Sequence, residues 1–526
     1  AFTPPMPFDS SKLKIIFIVV IAMFAALYLG ISAATAQLET IGWVVGALTL
    51  VTCISLGRRI WLLIPFMAAL DITLRIPGQP NSMLLANILV LGFSSTLFLM
   101  RKLPFQVRFS ELEFLMLALA AMVAQAYMRN PVGISIFGTD TVGGKNYFLF
   151  AITCASAFLL CFLRIPPSEL AAVFRLSVFG GLLNLLINIV GQLVPMVGFY
   201  TGAVYALPAA GAAGGQAMMD SGAAGRIGFL GTLSRNLALW TSSIISPVRG
   251  LIQPLWLILI IATLAAAGLS GFRSSLMVAI TIFVLGTVYR GGSGQVVLGL
   301  FGAFSAIIVL SFANAIHPFP PNIQRALTFL PGTWEERYKL DAAASTEWRT
   351  EIWKEVLFTE RWISNKFLGD GLGFSAAELQ AQMNAADGKL SGVSGFDAQR
   401  ENILASGDYH SAAVNAVRTC GYAGLVVLVI LMFRLCVHAH RLIRRCQGGP
   451  WHTLTLFLGI PPMVAIINLP ISASNFLQVA STTLLSLSLI RLAENNIPFT
   501  KTHPEPSAKT PILKTLSSRK LIPQAR

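Results

Sequence analysis

The chain has 526 residues, 55% of them apolar and only 12% charged, with a formal net charge of +15. Soluble domains carry about 25% charged residues, so the composition excludes an ordinary soluble globular protein, as does a mean hydropathy of +0.70. The positive excess does not mark a nucleic-acid binder: there is no basic domain with interleaved aromatics, and much of the excess lies in short connections and the tail.

Apolar runs of roughly 20 residues, the length that crosses about 30 Å of hydrocarbon, recur along the chain. In order they cover 13–35, 38–56, 60–77, 82–100, 111–128, 147–163, 171–194, 229–248, 251–269, 274–289, 295–316, 411–433, 453–469 and 475–491. The pattern predicts an all-α polytopic membrane protein of about 14 transmembrane helices. The first run, with Lys12 and Lys14 at its start, is long and more spans follow, so it reads as an uncleaved helix rather than a signal peptide. The weakest runs are 60–77, which holds Asp71 and Arg75, 229–248, which holds Arg235, and the short 274–289. The resulting division is a bundle part at 1–316 with about 11 helices, a loop at 317–410, a bundle part at 411–491 with about 3 helices, and a basic tail at 492–526.

Basic residues fall on alternate connections: Lys12 and Lys14, Arg58 and Arg59, Arg101 to Arg108, Arg164, Arg249, Arg290, and Arg434 to Arg445. The positive-inside rule therefore puts both termini in the cytoplasm. The connections 129–146, 195–228, 270–273 and 317–410 then face outward. The tail, with Lys501, Lys509, Lys514, Arg519, Lys520 and Arg526, would lie against anionic cytoplasmic lipid. The cysteines Cys53, Cys154, Cys161, Cys420, Cys436 and Cys446 sit in or beside apolar runs without a Cys-x-x-Cys pair. That pattern fits neither a disulfide framework nor a zinc site.

The outward loop at 317–410 is large and partly helical. Its start, "HPFPPNIQRALTFLPG", is too rich in proline for one continuous helix. In "STEWRTEIWKEVLFTERW", Trp348, Ile352 and Val356, and Trp353 and Leu357, recur at helical spacing among Glu347, Arg349, Glu351 and Glu355. This is an amphipathic helix, with Ser345 or Thr346 as its expected cap, lying across the outer surface of the bundle. "GDGLGF" follows as a tight turn; no strand precedes it, and its spacing fits neither a dinucleotide fingerprint nor a P-loop. The stretch 384–408 reads as a polar, mobile loop.

Several outward cations stand where the positive-inside rule does not ask for them: Arg226, Arg273 and Arg349. A guanidinium offers a planar, permanently charged fork for phosphate, although headgroup snorkelling or a structural ion pair would also account for each. Asp140 and Lys145, in "GTDTVGGKNY", are sugar or phosphate contacts or simply parts of a turn. His410, in "SGDYHSAAVN", stands at the mouth of an apolar run. It is either an interfacial residue or a general base, since neutral imidazole can accept a proton from a hydroxyl; Asp408, two residues before it, is either a partner that orients the ring or an ordinary loop residue. No Asp-x-Asp pair or His/Glu cluster occurs outside, so neither metal nor other cofactor is expected.

Four blocks in this order resemble the bacterial O-antigen ligase and O-antigen polymerase superfamily of polytopic membrane glycosyltransferases. "RIGFLGTLSRN" carries Arg226, Gly228 or Gly231, Phe229 and Asn236, and "LSGFRSS" carries Arg273. The third block holds Arg349, Trp353, Gly369, Gly371 and Gly373, and the fourth His410, Ser411, Gly421 and Gly424. The chain departs from the family pattern at Ser411, where Asn is usual, at Ser234-Arg235-Asn236 in place of a Pro-Asn pair, and at Phe272 before Arg273.

The resemblance implies transfer of a saccharide from a polyprenyl diphosphate carrier to a sugar hydroxyl on a glycan or glycolipid acceptor, at the outer face of the inner membrane. It implies that Arg226 and Arg349 neutralise the departing diphosphate and that His410 deprotonates the acceptor. Arg273, Arg235, Lys145 and Asp140 would be further diphosphate or sugar contacts. Ligase and polymerase are both open, as are a transporter or flippase for lipid-linked saccharides and a non-catalytic scaffold.

Overall fold

The structure, a computed structural model, describes residues 38–74, 79–133, 142–194, 205–206, 227–375, 377–381, 396–407, 409–470 and 474–498. The expected first span at 13–35 and the tail beyond 498 lie outside the described residues. Helices dominate: α1 (Leu38–Leu56), α2 (Leu63–Leu70), α3 (Ser82–Leu99), α4 (Glu111–Arg129), α5 (Lys145–Phe162), α6 (Pro167–Leu193), α7 (Gly228–Ile244) and α8 (Pro254–Leu269). Then come α9 (Arg273–Ile316), α10 (Pro321–Leu327), α11 (Glu336–Phe358), α12 (Phe396–Ser406), α13 (Ala412–Arg445), α14 (His452–Asn468) and α15 (Phe476–Asn496). Among the described residues, eight helical runs are long and apolar enough to cross a membrane by length and composition, and α8 and α14 are shorter apolar helices.

Local chemistry sets where these helices begin. Ser110 and Glu113 form a capping box at α4, and the side chains of Asn81, Ser411 and Asn475 accept first-turn N–H groups of α3, α13 and α15. Each cap satisfies donors that the helix itself leaves unpaired. The expected helix at 60–77 is replaced by a 3-10 turn over Gly57–Leu62 and the short α2. Asp71 ends α2 in the left-handed region at φ 44°, and β1 (Thr73–Leu74) then pairs antiparallel with β2 (Tyr205–Ala206).

Two long helices are broken at glycine. In α9, Gly292 leaves helical geometry at φ 73° and ψ −180°. A straight 44-residue helix would be about 66 Å long. Yet Arg273 at its start bonds the Ala342 carbonyl at 3.0 Å and Asn314 near its end bonds the Thr333 carbonyl at 2.7 Å. Thr333 and Ala342 are within about 32 Å of each other even in an extended chain, so α9 bends at the Gly292 kink into two arms that match the runs expected at 274–289 and 295–316. In α13, Gly421 breaks the helix at φ 71° and ψ −179°.

The main core runs through most of the bundle, and a second, smaller core joins α11 to the segment 404–417. At the end of the bundle opposite that second core, an ionic network clamps α4, α13 and α15. Arg491 bonds Glu113 at 2.6 Å and Glu494 at 2.8 Å, and His438 bonds Glu494 at 2.8 Å and Glu111 at 3.2 Å. Glu113 is fully buried and Arg491 nearly so.

Candidate functional site

The site is organised on α11, which begins at Glu336, with Glu335 at the cap, rather than at Ser345 or Thr346. The segment "KLDAAAS" before the expected start is made largely of good helix formers and extends the helix. Tyr338, Ala342, Ile352 and Val356 form its buried stripe. Ile352 and Val356 pack with Trp362, Leu404, Tyr409, Val414 and Val417 in the second core. The Trp353 indole donates to the Tyr409 carbonyl at 2.9 Å. Glu355 receives Arg400 of α12 at 2.9 Å and the Trp362 indole at 2.8 Å. The segment 396–406, expected as loop, is therefore helical and tied to α11.

Three arginines gather at this helix. Arg273, the first residue of α9, donates to the Ala342 carbonyl at 3.0 Å and to Thr346 Oγ1 at 3.4 Å. Arg325 on α10 is buried and pairs with Asp341 at 2.5 Å. Arg349 feels both: burial, then the Arg273 and Arg325 charges, pull its guanidinium below the usual value. Arginine stays protonated regardless, so the group concentrates positive charge that Asp341 offsets only in part. The buried Nε of Arg349 has no hydrogen-bond partner. Beside them opens a cleft of about 740 Å³ lined by Arg273, Thr328, Lys339, Thr346, Thr350 and Lys354, with Glu347 and Glu351 among its remaining walls. The α11 members recur every three or four residues, as one face of a helix must.

His410 approaches the same helix from the other side. Its backbone is left-handed at φ 49°, an uncommon state for a non-glycine residue. Its ring lies 5.8 Å from that of Trp348, tilted by 40°. Trp348 immediately precedes Arg349, so one helix carries the contact to His410 and the link to the arginine group on consecutive residues. Asn415 holds the His410 segment: its Oδ1 accepts the Tyr409 N–H at 3.1 Å and its Nδ2 donates to the Ser474 carbonyl at 3.3 Å. Ser411 caps α13.

The glycine turn is a joint between elements. At the break in α13, Tyr422 N–H donates to the Lys366 carbonyl at 2.8 Å and Ala423 N–H to the Phe367 carbonyl at 3.2 Å. The Arg418 carbonyl in turn accepts Asp370 N–H at 2.6 Å. Backbone groups released by the break are thus paired by the turn. A side chain at Gly421 would strike the Phe367 carbonyl, and one at Gly369 would lie 2.5 Å from the Cys420 nitrogen. Gln125 and Arg129 of α4 donate to the Leu368 carbonyl at 2.7 and 3.1 Å, and Tyr147 of α5 accepts Leu372 N–H at 2.9 Å.

Of the residues singled out in the sequence, Arg273, Arg349 and His410 come together around α11. Arg226, Asp140 and Asp408 lie outside the described residues. Arg235 is exposed on α7, and Lys145 is buried in the first turn of α5 beside the groups that hold the glycine turn. Two residues escaped sequence reasoning. Arg325 lay in a proline-rich stretch read only for its breaks. Arg418 lay inside an apolar run, where a lone charge is itself a functional signal. Among the described residues, no group of three His, Cys, Asp or Glu is placed to hold a metal ion. No protein-family model matches this chain, and no curated protein matches it.

Proposed function

We propose that the chain is a membrane glycosyltransferase of surface polysaccharide assembly, of the O-antigen ligase or polymerase type. The observation that carries this reading is the grouping of Arg349 with Arg273 and Arg325 on the helix whose preceding residue, Trp348, touches His410. In the proposed reaction the acceptor hydroxyl attacks the anomeric carbon, His410 takes its proton, and the bond from that carbon to the carrier diphosphate breaks. The departing lipid diphosphate gathers negative charge, which preorganised guanidinium groups stabilise in place. Arg226, on the same resemblance, joins them.

The site end of the bundle faces outward in this reading, with both termini cytoplasmic, because the basic connections 99–108, 164 and 434–445 gather at the other end. An apolar groove of about 590 Å³ between α4 and α5, lined by Ala120, Val123, Tyr127, Tyr147 and Phe150 among others, suits a polyprenyl chain. It opens beside Tyr147, which touches the glycine turn.

The test uses purified protein with a polyprenyl-diphosphate saccharide donor and a sugar acceptor. Arg349→Ala and His410→Ala are each expected to abolish transfer while the protein reaches the membrane in normal amount. Full transfer by His410→Ala refutes the base assignment.

A second reading, a transporter or flippase for lipid-linked saccharides, draws on the breaks at Gly292 and Gly421 and on the buried ionic network around Arg491. Movement of the donor across vesicle membranes without sugar transfer would favour it.

A further inference from the structure

Arg418 lies in the outer segment of α13, 412–420, and is only 9% exposed. Among the described residues no carboxylate pairs with its guanidinium and no side-chain or backbone oxygen accepts from it. Asp370, whose N–H donates to the Arg418 carbonyl, turns its own carboxylate to the N–H groups of Ser364 at 2.7 Å and Asn365 at 2.9 Å. A buried cation with no counter-charge among the described residues is costly to keep.

Its surroundings fix the plane of the guanidinium. The Phe374 ring covers it at 4.0 Å from the central carbon. Gly407 lies so close that a Cβ there would stand 2.7 Å from that carbon and 2.8 Å from Nε. With the flat group held by these two neighbours, its edge donors remain to be used, and a planar fork matches the two coplanar oxygens of a carboxylate. Gly407 is three residues from His410, so the two Cα atoms are within about 11 Å of each other. The aromatic rings of Trp348, Trp353 and Tyr409 surround the same segment.

We propose that Arg418 is a binding residue for a carboxylate on the saccharide, so that the sugar presented at His410 is an acidic one. The proposal deepens the sugar-transfer reading and rests on it. A diphosphate is served by Arg349 with Arg273 and Arg325; the single fork of Arg418 matches a single monoanion.

The experiment measures binding by the full chain in nanodiscs. The probes are galacturonate and glucuronate tetrasaccharides, their carboxyl-reduced counterparts, and farnesyl diphosphate. The unaltered protein is expected to bind at least one uronate about tenfold or more tighter than its reduced form, the gain of one charge-assisted bidentate contact. Arg418→Gln should erase that preference and leave farnesyl diphosphate within about twofold, whereas Arg349→Ala should weaken only the diphosphate. Phe374→Leu, which keeps the charge but frees the fork, should reduce the preference and serves if Arg418→Gln does not fold.

No preference for either uronate, or a preference that survives both substitutions, overturns the proposal. So does a loss of farnesyl diphosphate binding in Arg418→Gln, which would make Arg418 a phosphate residue. If Arg349→Ala leaves diphosphate binding intact while Arg418→Gln removes uronate preference, the diphosphate role fails and the carboxylate site stands.

Discussion

The imidazole of His410 rests 5.8 Å from the indole of Trp348, and the next residue along that helix is Arg349, drawn to lower basicity by its burial and by the charges of Arg273 and Arg325. A proton acceptor and a concentration of fixed positive charge are therefore supported by neighbouring positions on one rigid element. That is the arrangement a displacement needs when a proton leaves one side of the reacting carbon and negative charge builds on the other.

The Trp348 indole nitrogen is buried without a hydrogen-bond partner. Trp348→Phe keeps an aromatic surface for His410 and removes that orphan donor, so transfer is expected to stay within about threefold of the original, with unchanged or higher melting temperature. Trp348→Ala should lower stability by about 2 kcal/mol or more and impair transfer beyond that loss. Paired melting and transfer assays separate the two effects.

Asp341 is the carboxylate that offsets Arg325. Asp341→Asn removes a negative charge beside the cleft while keeping the shape. Affinity for a short lipid diphosphate should rise several-fold, and stability should fall by about 1 kcal/mol, because Asp341 is half exposed but Arg325 is not. Weaker diphosphate binding in this variant would argue against anions occupying the cleft.

Gly421→Ala should be among the most damaging single changes in the chain. It puts a Cβ on a left-handed residue and into the Phe367 carbonyl. A loss of about 3 kcal/mol or more is expected, seen as poor yield of folded protein or a large drop in melting temperature. Gly228→Ala, which meets open space, is the matched control and should be nearly silent.

At the opposite end, Glu113→Gln leaves Arg491 deprived of its closest acid while still buried. The expected cost is about 3 kcal/mol. Protein that does fold should bind lipid diphosphate as before, since the network is remote from α11. The double variant Glu113→Met, Arg491→Met should cost less than the sum of the single changes, a coupling that melting curves of all three variants would show.

Much of the helical plan was legible because apolar length is a strong signal. The expected span 111–128 became Glu111–Arg129, and the pair 274–289 and 295–316 became two arms joined at Gly292. Failures have local causes. Asp71 terminates α2 by taking a left-handed conformation, and the turn that follows is held by bonds to Ser82, all of which composition averages away. The start of α11 was placed too late because capping candidates inside a helix look like caps. His410, Arg273 and Arg349, which the fold gathers around α11, were singled out by reading charge against orientation. Arg418 was missed because its role depends on Phe374 and Gly407, which meet it only through the folded chain.

The junction between the glycine turn and the break in α13 has a consequence for biosynthesis. The turn at 364–372 emerges from the ribosome before α13 exists, yet the groups that complete it, from Arg418 to Ala423, are made some fifty residues later. Contacts between distant parts of a chain form late. The segment bearing His410 also needs the Ser474 carbonyl, which comes later still. The candidate site is thus among the last regions to assemble: a nascent chain halted before α13 would carry Arg273, Arg349 and His410 but none of the groups from Arg418 to Ala423, nor Ser474, that hold the turn and the His410 segment.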